Sequence, residues 1–167
     1  SKVIIDRETP GASSDTWTLS NAPFNIDNGS TLTFEAGANI TSGTPTVDVT
    51  QGFDSSESIN PSNQTFIANG VNVLVNGSEN SRGRNYTFSG TSTGNVIYGQ
   101  IDESNNTRVI SLIKEGTGTW SLTSATSDHT GSTTVNEGIF EIGGAGKLNP
   151  GTYLGGVHFE LTGDHVT

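Results

Sequence analysis

Apolar residues alternate with polar ones in short runs along nearly the whole chain. TWTLS sets Trp17 and Leu19 on one face, FNI sets Phe24 and Ile26, TLTFE sets Leu32 and Phe34, and TVDV sets Val47 and Val49. VNVLV follows with Val71, Val73 and Val75, NYTFS with Tyr86 and Phe88, NVIYG with Val96 and Tyr98, and RVISLI around Val109 to Ile113. A period of two is the signature of a strand with one face buried, because successive side chains point to opposite sides. No run places apolar residues at helical spacing for long, and Gly or Pro interrupts almost every window of helix length. The pattern predicts an all-β chain of short strands about ten residues apart, joined by NG, SG, GS and TSG turns. Residues 51–65, QGFDSSESINPSNQT, lack the alternation and carry Pro61, so they are expected to form a projecting loop.

Composition narrows the architecture. Only 30% of the residues are hydrophobic and 22 are Gly, which suits a thin apolar column renewed a few residues at a time better than a spherical core. The spacing alone fits either a β-solenoid or a β-sandwich. The whole chain, residues 1–167, reads as one domain.

The stretch LIKEGTGTWSLTSATSDHTGSTTVNEGIFEIGGAGKL, residues 112–148, tips the choice. It resembles the autotransporter-associated β-strand repeat of bacterial surface-protein passenger regions, whose pattern runs L-x-K-x-G-x-G-T-[LW]-x-L and then Y-x-G-x-T-x-[VI]-x-x-G-x-L-x-[LIV]-G. Leu112, Lys114, Gly116, Gly118, Thr119, Trp120 and Leu122 match the first half; Gly131, Thr133, Val135, Gly138, Phe140, Ile142 and Gly143 match the second. His129 stands where the family usually has an aromatic, in a link one residue longer. The resemblance implies a right-handed parallel β-helix. At roughly 20 to 25 residues per rung the chain makes about seven rungs. Trp120 and Leu122 are then expected to face inward from one strand and Val135, Phe140 and Ile142 from the next, with Thr at outward positions, where a β-branched stem favours strand and the hydroxyl stays wet.

Charge and chemistry exclude several roles. A formal net charge of −10 repels polyanions, and no stripe of Lys or Arg offsets it, so no nucleic-acid partner is expected. No apolar run approaches a membrane span, so this segment is not expected to insert in a bilayer. With no Cys there is no disulfide framework, no Cys-ligated metal and no catalytic thiol, a composition common among bacterial surface proteins.

Parallel β-helices also house polysaccharide lyases, which need acids clustered on neighbouring rungs. The acids here are scattered. Asp102 and Glu103 with Arg108 read as a solvated turn, and Asp128 with His129 as a polar link. His129, His158 and His165 share no ligand spacing, and no calcium-loop motif occurs, so no metal or cofactor is expected. Arg82, Arg84 and Tyr86 form the one concentration of basic and aromatic groups and are the candidate ligand-contact loop.

The reading is a non-catalytic structural or adhesive solenoid segment of a secreted or outer-surface bacterial protein. A carbohydrate-binding β-domain and a lyase-like fragment are the alternatives. Expected partners are further rungs of a longer chain or self-association through the C-terminal run Val157, Phe159 and Leu161, together with surface glycans or proteins of a host or neighbouring cell.

Overall fold

The computed structural model describes residues 1–20, 24–25, 30–50, 53–54, 63–76, 79–80, 85–102, 109–124, 129–143, 153–155 and 159–161. Among these residues all regular structure is β, and every strand pairing is parallel. The first sheet stacks seven strands in chain order: Lys2–Ile5, Thr31–Ala36, Asn63–Asn69, Asn85–Gly90, Ser111–Lys114, Thr133–Val135 and Tyr153–Gly155. The second sheet stacks the seven that follow each of these: Thr16–Leu19, Thr46–Val49, Asn72–Val75, Asn95–Ile97, Thr119–Leu122, Ile139–Ile142 and Phe159–Leu161. A third, shorter sheet takes Phe24–Asn25, Phe53–Asp54, Glu79–Asn80 and Ile101–Asp102, and Gly11–Ala12 pairs with Ile40–Ser42.

The chain therefore visits the first sheet, turns into the second, and returns one level on. That is the winding of a β-solenoid. A sandwich of antiparallel hairpins, the alternative left open by strand spacing, is excluded by the parallel pairing of the described strands.

The repeat length is not constant. Lys2 lies opposite Thr33, 31 residues on, whereas Thr133 lies opposite Tyr153, only 20 on. The two longest turns, 31 and 34 residues, carry the extra pair, whereas the third sheet also passes through the 22-residue rung between Asn63 and Asn85.

Register turns the alternation into columns. In the second sheet Leu19, Val49, Val75, Ile97, Leu122, Ile142 and Leu161 occupy successive levels of one column. Beside it run Trp17, Val47, Val73, Asn95, Trp120, Phe140 and Phe159. In the first sheet Leu32, Phe66, Phe88, Lys114 and Val135 form a third. Rings stack along and between them: Phe66 on Phe88 at 5.8 Å, Phe88 against Trp120 at 5.0 Å and Phe88 on Phe140 at 6.3 Å. Full burial of each such side chain contributes about 1.5–3 kcal/mol. Trp120, Leu122, Val135, Phe140 and Ile142 all lie in this core. Val135 sits in the first sheet, however, and Phe140 and Ile142 in the second, so the single strand expected to hold all three is two strands.

Gly138 makes the bend between them. Its φ of 71° suits a residue without Cβ, and a Cβ there would collide with the Gly116 carbonyl oxygen one rung away. Gly70, Gly90 and Gly116 turn the preceding rungs at the same corner, also with positive φ.

Three local expectations are corrected. In NVIYG the inward residues are Asn95 and Ile97; Val96 is half-buried and Tyr98 is 49% exposed, the opposite phase to that read from apolarity. Thr133 faces inward, with its Oγ1 3.4 Å from His129 Nε2, because it shares the column of Tyr86 and Leu112. Finally, 53–54 and 63–65 of the expected loop are strand, and Gln64 is buried; the rest of 51–65 lies outside the described residues.

Candidate functional site

The corner between the two large sheets gathers the most distinctive polar chemistry. On its outside, Thr44, Gly70, Asn72, Thr91, Ser92, Thr93 and Gly94 line a shallow depression of about 250 Å³. The asparagines are held by backbone donors from the next rung: Gly94 N–H donates to Asn72 Oδ1 at 3.0 Å and Thr91 N–H to Asn69 Oδ1 at 3.2 Å. Ser92 turns its Oγ away from solvent, and that oxygen has no hydrogen-bond partner. The lining offers hydroxyls, amides and backbone, groups that hydrogen-bond neutral polar ligands but supply neither acid nor base near neutral pH.

Inside the same corner, polar side chains serve the backbone. Asn95 replaces an apolar residue in its column and uses both ends of its amide. Its Oδ1 accepts from Val73 N–H at 3.0 Å, and its Nδ2 donates to Ser92 O at 2.8 Å and Thr119 O at 2.9 Å. Three rungs are thereby linked by one side chain; Ser92 O also accepts from Thr119 N–H at 3.0 Å, so Asn95 adds a second bond to that carbonyl.

Lys114 does the same with an ammonium group. Its position in the column between Phe88 and Val135 buries it to 1% exposure, and the Gly116 turn bends the chain back over its end. Nζ donates to Glu115 O and Gly116 O at 2.6 Å each and to Glu137 O of the following rung at 3.2 Å. Desolvation lowers its pKa from 10.5 to about 8, opposed in part by the negative charges of Glu137 and Glu115. The signal for this site is present in LIK, where alternation puts Leu112 and Lys114 on one face; the size and charge of lysine argue against an inward placement.

Of the candidate ligand-contact loop, Arg82 and Arg84 lie outside the described residues. Tyr86 is not a surface group: it is 2% exposed, with its ring 6.1 Å from Phe66 and 6.2 Å from Phe88, because NYTFS alternates its aromatics inward. Glu103, Arg108, Asp128, His158 and His165 also lie outside the described residues, and His129 is buried beside Thr133 rather than exposed in a polar link.

The fold and its corners define a stacked parallel β-solenoid whose described buried polar groups include two, Asn95 and Lys114, that tie rung to rung. Residues 112–142 match the family model of the passenger-associated transport repeat, the segment that contains Lys114, Trp120 and the Gly116 and Gly138 corners. The chain has no match among curated proteins and none among solved structures.

Proposed function

We propose that this chain is a non-catalytic stretch of the passenger of a bacterial secreted or cell-surface protein, acting as a stiff stalk or display scaffold. The observation that carries the reading is the seven-level parallel ladder, with an unbroken aliphatic column from Leu19 to Ile142 among the described side chains, in a chain whose residues 112–142 match a passenger repeat. In such a stack each rung is supported by its neighbours, so length is added without a larger core and the outer faces and loops are free to vary. Asn95 and Lys114 support the same reading, since their polar atoms are engaged with backbone carbonyls and amides. In this reading the partners are further rungs of the parent chain and, at the loops, glycans or proteins of other cells.

Two measurements test it. Antibodies against this segment are expected to label intact cells of the producing bacterium or its culture medium; label confined to lysed cells overturns the surface assignment. Incubation with pectin, alginate and other acidic glycans, with and without Ca²⁺, is expected to release no product. Reproducible turnover that tracks the purified chain overturns the scaffold reading in favour of a lyase.

A further inference from the structure

The corner formed by Gly116 and Gly138 is built around a group that can change its charge. Three backbone carbonyl oxygens, those of Glu115, Gly116 and Glu137, converge on Lys114 Nζ at 2.6, 2.6 and 3.2 Å. An ammonium has three N–H donors and no acceptor, so the three carbonyls match its full capacity. Two of them belong to its own turn and the third to the next rung, whose strand Thr133–Val135 lies against Ser111–Lys114. A Cβ on Gly138 would come within 2.8 Å of Nζ, so the glycine is what lets the next rung close over the amine.

We propose that Lys114 is a proton-controlled clasp between two successive rungs: as an ammonium it holds all three carbonyls, and as a free amine it holds only two and lets go of Glu137 O, the longest of the three contacts. A neutral amine donates two N–H bonds and presents a lone pair, which is repelled by a third carbonyl oxygen.

The electrostatic surroundings set the proton's affinity. Burial among Phe88, Val135 and the turn disfavours the charge, while Glu115 on its own turn and Glu137 on the following one favour it; Phe88, Ser89 and Gly90, from the preceding rung, carry no titratable group. The balance leaves Lys114 titrating near 8 instead of 10.5. The sign of the linkage follows. From about 8 to 10.5 the unfolded chain still holds the proton and the folded one has released it, so this group makes folding more favourable as pH rises through that window. Below it the fold carries the full cost of a buried charge. A single pKa displaced by this much changes the folding equilibrium constant by roughly two to three decades across the window. The cross-rung bond and the net stability thus move in opposite directions with pH, a combination that a purely structural lysine of ordinary pKa does not give.

The experiment is an NMR titration of the whole chain from pH 6 to 11, following the Lys114 Cε resonance and the backbone carbonyl carbons of Glu115, Gly116 and Glu137. The expected result is a Lys114 midpoint near 8, with the Glu137 carbonyl shifting at the same midpoint. Chemical unfolding at the same pH values provides the second readout, with Lys114→Met as reference. Relative to that variant, the native chain is expected to gain about a hundredfold or more in folding equilibrium constant between 8 and 10.5. If Lys114→Met does not fold, the titration of the native chain decides alone. A Lys114 midpoint near 10.5, or a Glu137 carbonyl indifferent to the lysine's titration, overturns the proposal.

Discussion

At the scale of single residues, the columns make sharp distinctions between positions that look alike in sequence. Trp120 is 1% exposed, packs against Phe88 and donates from Nε1 to Ser89 O at 3.0 Å, so it fills the space between rungs and satisfies a carbonyl there. Trp120→Ala is expected to cost about 3–5 kcal/mol in chemical unfolding, whereas Thr134→Ala, one residue from the buried Thr133 but on the outer face, costs about 0.5 kcal/mol or less. Gly138→Ala tests the corner. With φ at 71° and the Gly116 carbonyl in the way, an added methyl is expected to cost about 1–3 kcal/mol. Gly94→Ala costs less, because the methyl there would meet the movable side-chain amide of Asn72 instead of backbone. Equal losses at the two glycines, measured by thermal unfolding, would show that the corners do not stack as described.

At the scale of elements, strands and loops divide by how much of their fate is local. Alternation in TLTFE, TVDV, VNVLV and NYTFS places the inward residues correctly, because there the apolar phase and the buried phase coincide. It fails at NVIYG because the residue that faces the core is Asn95. Its burial is offset by Val73, Ser92 and Thr119 from neighbouring segments, and no feature within the pentapeptide announces those partners. Thr133 and Lys114 lie on the inward phase of their strands, but their polarity argues against burial until the partners are seen, His129 for Thr133 and, for Lys114, its own turn together with Glu137 O at a separation of 23. Tyr86 looks like part of a binding loop because Arg82 and Arg84 precede it, although its own alternation with Phe88 points it inward. The repeat itself is legible from its glycine and threonine spacing in 112–142. Asn95→Ala tests how much such hidden partners matter. It strands the Val73 N–H and the Thr119 carbonyl, whereas Ser92 O keeps its bond from Thr119 N–H, and at about 1–3 kcal/mol for each unsatisfied group a loss of about 2 kcal/mol or more is expected. Asn76→Ala, at an exposed asparagine bonded to Asp48, is expected to change stability by about 0.5 kcal/mol or less. Urea unfolding of the two variants side by side checks the contrast.

At the scale of the molecule, one register fixes the whole of the stack. The chain contains no cysteine, so a pair can be introduced at will without competing thiols. Thr65 and Thr87 are direct partners on the outer face of the first sheet, whereas Thr87 and Thr134 are separated by the intervening level of Ile113. Adjacent parallel strands lie about 4.8 Å apart, within the reach of a disulfide, while two levels span roughly twice that and exceed it. The most direct measurement is therefore oxidative cross-linking of two double variants, Thr65→Cys with Thr87→Cys and Thr87→Cys with Thr134→Cys, read by mass after proteolysis. Rapid, near-complete bridging within the chain for the first pair and none for the second is the result a rung-by-rung parallel stack requires. Bridging of the second pair but not the first, or of neither under conditions where the chain is folded, would contradict it.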